Sequence, residues 1–347
     1  MTDRPLRRRL WLVARILIAL GLLGLAIWTN QDQLREVGQH SIRVSRFVLA
    51  FFIYFSGVVL AYFRWYLLVR AVGLSFRMRD AARLGLIGTL FNFVIPGAIG
   101  GDFVKAAFLC REQSKRAKPI ASVIVDRIVG LIGLFLIAGI AGSLGWSRLE
   151  PPVRKLVTIA WVAAGVTTLL LGVAFLPLDR LRGKRSRKRA ELAVVGESYR
   201  RHVGVVALGI VLGTVTHFLN VVAFFLVSEA LFPVVPSLVD HLLIVPLVLF
   251  TTAVPLPFGA LGVSEQVSFG LFRLASYSGG GVAMMGFRIL QFGSALLGLG
   301  VYLADNREIR ELQARAGGLE SDPAQRGVPS PSAAAETVPA PRTSPIK

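Results

Sequence analysis

Eight ionisable side chains lie inside or at the edge of apolar runs: Asp102, Lys105, Asp126, Arg127, His217, Glu265, Arg273 and Arg288. On insertion scales a charge in hydrocarbon costs about 3 kcal/mol or more, so such residues mark ligand or ion pathways by default. Two of the carboxylates follow Pro/Gly breaks, in PGAIGGDFVK and in PLPFGALGVSEQ. Arginine suits bidentate contact with a carboxylate or a phosphate. Carboxylates that pair with arginines, and arginines that exchange them for a phosphate, would do the chemistry of anion recognition.

The first break lies in TLFNFVIPGAIGGDFVK, Thr89 to Lys105. Pro96 removes a backbone donor and disfavours helix at Ile95. Gly100 and Gly101 permit a close approach of backbone or ligand. Asp102 stands where an N-cap belongs, ahead of a new helix. Asn92, Gly100, Gly101, Asp102 and Lys105 are therefore candidate binding residues. The second break lies in His241 to Tyr277, where Pro246, Pro255, Pro257, Gly259 and Gly262 interrupt the run. Ser264 is the expected N-cap there, and Gly259 and Glu265 join the candidates.

Arg127 and Arg288 complete the set. Asp126 and Arg127 point about 100° apart on a helix and cannot share one partner face, and one of them could simply snorkel. Arg288 lies too deep for that. His217 and Asn220 fall on one face, which also suits a plain interhelical hydrogen bond. Asp102 and Glu265 also read as simple helix caps.

The elements that must position these groups are membrane helices. The chain has 347 residues, 54% hydrophobic, and a mean hydropathy of +0.63. Apolar runs of about 20 residues recur, each enough for a bilayer core of about 30 Å. Cys110 is the single cysteine, and no Cys/His cluster suggests a metal. The net charge of +19 sits in short loops, where Lys and Arg set topology and meet anionic headgroups. No basic soluble domain exists for nucleic acid, and no P-loop for ATP, so no cofactor is expected.

Full spans are expected at Leu10–Thr29, Phe47–Val69, Pro119–Leu144, Leu156–Leu176, Val203–Phe232 and Val282–Leu303, with Gly279, Gly280 and Gly281 as a hinge before the last. The segment Leu84–Gly101 is flanked on both sides by basic residues, so it should enter and leave on the cytoplasmic face. His241–Tyr277 should start and finish outside. Both read as re-entrant hairpins of opposite orientation, the arrangement from which many secondary transporters build a midplane site. The fold class is all-α: a polytopic integral membrane protein with about six full spans and two such hairpins. A basic N-terminus (1–9) and a tail (306–347) expected to be disordered, rich in Pro, Ala, Ser and Thr from Gly317 onward, flank a membrane domain at 10–305, and both ends are expected in the cytoplasm.

Taken in order, Asn92, Pro96-Gly97, Gly100-Gly101-Asp102, Lys105, Asp126-Arg127, Pro257, Gly259, Gly262 and Glu265 resemble the flippase-like membrane domain family. That family includes the N-terminal domain of the lysylphosphatidylglycerol synthetases. The resemblance covers about residues 10 to 305. It implies movement of a charged phospholipid or a polyprenyl-linked lipid between leaflets of a bacterial inner membrane. It also implies roles for Asp102, Arg127 and Glu265. No aminoacyl-transfer domain follows, so synthesis of a lysyl-lipid is not expected. The expected partners are membrane lipids, with a second copy of the chain or a separate lipid-modifying enzyme as the protein options. Two alternatives stand beside this reading. A glycosyltransferase-like enzyme would want external acids, for which only Asp32 and Glu36 offer themselves, without a DxD motif. The hairpins allow a small-solute transporter equally well.

Overall fold

The computed structural model describes residues 21, 24–25, 27–94, 100–111, 117–175, 187–253 and 260–320. Among the described residues there is no β-strand. The chain runs through α1 (Gln31–Gln39), α2 (Val44–Ala71), α3 (Met78–Val94) and α4 (Gly100–Arg111), then α5 (Ala117–Leu144) and α6 (Pro151–Ala174). It continues through α7 (Arg187–Arg201), α8 (Val203–Leu231), α9 (Leu238–Ala253), α10 (Val263–Arg273) and α11 (Gly280–Glu320). Two compact units are distinguished, Met1–Val301 and Tyr302–Lys347. The first is the helix bundle, and the described part of the second, residues 302–320, is helical.

Five helices carry apolar stretches of 23 to 29 residues, in α2, α5, α6, α8 and α11. At a rise of 1.5 Å per residue each exceeds the roughly 30 Å of hydrocarbon. The expected first span, Leu10–Thr29, falls mostly outside the described residues. The remaining apolar helices are too short to cross: α3 has 17 residues, α4 has 12, α9 has 16 and α10 has 11. They pack as two pairs, α3 on α4 and α9 on α10. These are the two expected helical hairpins.

Contacts along the bundle fix the direction of each hairpin. The helices α2 and α8 run antiparallel, for Arg43 N–H donates to the Ala230 carbonyl at 3.0 Å while Gly57 faces Thr216 and Gly209 faces Leu68. From the end of α2, α3 doubles back along it, with the Tyr62 and Thr89 hydroxyls 2.7 Å apart. From the end of α8, α9 runs back along α5, Leu243 beside Gly142 and Phe250 5.2 Å from Phe135. The hairpins therefore enter from opposite ends of the bundle.

Two apolar cores sit toward those two ends. One gathers Trp65, Leu68, Val129, Ile132 and Tyr199, and the other Ala50, Leu134, Val221, Phe224 and Phe287. The central post is α5, 67% buried along its apolar window against 17% for α2, so it is the span that both hairpins can lean on. Of the glycines expected as a hinge, Gly280 and Gly281 are helical and closely packed. They lie in the first turn of α11, where added Cβ atoms would stand 2.6 Å from Phe272 and 2.2 Å from Asn30, so small size is what the packing demands.

Candidate functional site

Asp126 and Arg127 project from the N-terminal half of α5 and take different partners. Arg64 of α2 donates through Nε to Asp126 Oδ1 at 2.8 Å, and both side chains are buried. Arg127 donates through Nε to the carboxylate of Asp102, in the first turn of α4. Lys105, one turn further along α4, holds Nζ 3.9 Å from Asp102 Oδ1 and 5.0 Å from the centre of the Trp65 ring. Five charges thus join α2, α5 and α4.

The tip of the first hairpin is fastened by its backbone. Gly101 N–H donates to Asn92 Oδ1 at 2.8 Å, tying the end of α3 to the start of α4. A Cβ on Gly101 would stand 2.4 Å from the Gly88 carbonyl oxygen, so the two arms meet as closely as glycine allows. Asn92 caps the new helix. Asp102 was expected in that role, but it lies inside the first turn and its carboxylate faces Arg127 instead.

The second hairpin carries its own pair. Arg288 of α11 donates through Nε to Glu265 Oε1 at 2.6 Å and through Nη2 to Ser264 Oγ at 2.5 Å. Glu265 Oε2 accepts the Gly262 N–H at 2.7 Å. Gly262 has φ 81° and precedes the helix, so Gly262 rather than Ser264 is the N-cap. Ser264 Oγ donates back to Ala260 O at 3.0 Å. Glu265 and Arg288 are 0% and 4% exposed, so each charge is compensated within the protein, by its partner and by the neighbouring Gly262 N–H and Ser264 hydroxyl.

Between the two cores lies a cavity of about 270 Å³. Arg64, Asp126, Arg127 and Asp102 line one part of it, and His217 and Asn220 of α8 another. Leu249 and Thr252, near the tip of α9, and Phe287 and Gln291 of α11 close it. Hairpin tips from both ends of the bundle therefore meet at one charged chamber.

Residues 12–298 match the family described as the lysylphosphatidylglycerol synthase TM region. The chain belongs to that family. A search of curated proteins finds no match. Membership in the lysylphosphatidylglycerol synthase TM region family, together with five spanning helices, makes this a multi-pass membrane protein concerned with membrane lipid handling.

In this member of the family the candidate residues divide. Asp102 and Arg127 are paired in the cavity wall. Glu265 and Arg288 form a separate buried pair, and among the described lining residues neither appears. The four do not form one shared set in the cavity wall, because Phe287 and Gln291 are the α11 residues that face it. Gly101 and Asn92 build the hairpin tip, Gly100 opens α4, and Lys105 flanks Asp102. Gly259 lies outside the described residues. Arg273 is exposed in the last turn of α10, 5.5 Å from the Phe269 ring centre and apart from both pairs. Arg64 is the residue that sequence reasoning passed over, although its position within Phe47–Val69 was itself a signal.

Proposed function

We propose that the chain moves a lipid with an anionic headgroup, a charged phospholipid or a polyprenyl-linked lipid, between the leaflets of a bacterial inner membrane by alternating access, with both termini cytoplasmic. The observation that carries this reading is the ion-paired cavity where two oppositely directed hairpin tips meet. Discontinuous helices at a midplane site are a recurrent device of transporters.

Exposure decides which pair exchanges its partner for substrate. Asp102 and Arg127 are 17% and 32% exposed, whereas Glu265 and Arg288 are sealed. Arg127 can therefore release Asp102 and take two oxygens of a phosphate, a bidentate contact that guanidinium geometry suits. Asp102 then keeps Lys105 beside it, so the exchange leaves no buried charge alone. Glu265 and Arg288 hold the second hairpin to α11 throughout. No bond is made or broken in this cycle, and the chain acts as a carrier rather than an enzyme.

Reconstitution tests the reading. Vesicles containing the full chain and a headgroup-fluorescent phosphatidylglycerol are treated with a membrane-impermeant quencher. The proposal expects inner-leaflet lipid to become quenchable at least tenfold faster than in protein-free vesicles. Equal rates would overturn it, and uptake of a soluble anion without lipid movement would favour a small-solute carrier.

A further inference from the structure

Three polar atoms at the cavity are unused by the pairs described above. Arg64 Nη1, His217 Nδ1 and Asn220 Oδ1 are buried without a hydrogen-bond partner among the described residues. All three residues line the cavity, and Arg64 is 7% exposed. Buried polar groups are rarely left unpaired, so such a cluster calls for a ligand or for water. Glycines on three helices accommodate two of these side chains. A Cβ on Gly213 would stand 3.0 Å from Arg64 Nη1, one on Gly130 3.3 Å from the same atom, and one on Gly57 3.3 Å from Asn220 Oδ1.

We propose that Arg64, His217 and Asn220 form a headgroup subsite that takes a phosphate oxygen on Arg64 and a neighbouring hydroxyl on His217 and Asn220. Arg64 spends Nε on Asp126, and its fork leaves other donors for an anion without breaking that pair. A hydroxyl both donates and accepts, so it satisfies an imidazole nitrogen and an amide end in either orientation. An ammonium only donates, and a methyl group does neither. The subsite therefore distinguishes phosphodiesters that carry a hydroxyl from those of equal charge that lack one. It rests on the reading of the cavity as a passage for lipid headgroups.

Lipid retention by the full chain in detergent, measured by native mass spectrometry, tests it. Phosphatidylglycerol and phosphatidylmethanol carry the same charge and differ in the hydroxyls. The wild type should retain the first about tenfold better. Asn220→Ala removes an unpartnered atom and so should fold normally, yet it should bring the two lipids to near-equal retention. Arg64→Lys should weaken both lipids about tenfold. A preference unchanged in Asn220→Ala, or absent in the wild type, would overturn the subsite. Competition by soluble glycerol phosphate at matched concentration would support the same chemistry with a free phosphate ester as source, and no competition would support the lipid. If the preference collapses as expected while reconstituted wild type moves no lipid, the subsite stands and the transport reading falls. Lipid movement with an unchanged preference sinks the subsite alone.

Discussion

Asp126 and Arg127 are adjacent on α5, yet one pairs with Arg64 of α2 and the other with Asp102 of α4. The 100° step between neighbours on a helix makes this division natural. It also means that a single turn of α5 anchors both a full span and the first hairpin. Neither residue snorkels to the surface, because each has a partner within the bundle.

Removing one member of the Arg127–Asp102 pair should be worse than removing both. Arg127→Gln leaves Asp102 in the cavity wall with Lys105 at 3.9 Å as its nearest cation. Because the site is partly exposed, the loss should be about 1–3 kcal/mol, less than for a sealed pair. The double variant Arg127→Gln/Asp102→Asn should recover part of it. Melting temperatures in detergent, arranged as a double-mutant cycle, check this, and strictly additive losses would contradict the pairing.

The Arg288–Glu265 pair should respond more strongly. Glu265 is fully buried and also accepts the Gly262 N–H, so stranding its charge disturbs the start of α10 as well. Arg288→Met should cost about 3–5 kcal/mol, and Glu265→Gln/Arg288→Met should be better tolerated. Yields of folded protein after mild heating would show the order, and equal effects at the two arginines would contradict it.

Glycine 101 supplies a steric test. A methyl group there meets the Gly88 carbonyl at 2.4 Å and Asn92 Oδ1 at 2.8 Å. Gly101→Ala should destabilise by about 1–3 kcal/mol, as overpacking does. Gly270→Ala, where a Cβ meets nothing within 4 Å, should be neutral or slightly stabilising. A Gly101→Ala protein as stable as Gly270→Ala would show that the hairpin arms are not in close contact.

Much of this architecture was legible in the sequence. The basic flanks of Leu84–Gly101 and the Pro/Gly breaks mark the two hairpins in the sequence itself, because charge placement and backbone permissiveness are local properties. The pairing of charges was not local. That Arg127 and Arg288 pair with Asp102 and Glu265 could be expected from the cost of unpaired charge in a membrane, whereas Arg64 finds Asp126 62 residues away through packing that no spacing rule encodes. Arg64 was hidden by its neighbours, since one arginine between Phe63 and Trp65 barely lowers the hydropathy of a long span. The glycines that open α11 were legible only in part: a Gly run reads as a hinge in sequence, and the need for small residues shows only once Phe272 is found beside Gly280.

Labelling from each side of the membrane checks the orientation. In a Cys110→Ala background, cysteines at positions 79 and 115 should react with an impermeant reagent only from the cytoplasm. Cysteines at 240 and 278 should react only from outside. Opposite-side labelling of 79 and 115 would remove the first re-entrant hairpin and the argument built on it.

The most direct measurement asks whether lipid passes through the charged chamber. Thr252 lines it from α9, and a cysteine there, again without Cys110, offers a handle inside the pathway. Reconstituted Thr252→Cys protein should move fluorescent phosphatidylglycerol until a charged methanethiosulfonate reagent is added. Movement should then fall to the rate of protein-free vesicles and return on reduction. Undiminished lipid movement in fully modified protein would contradict the account.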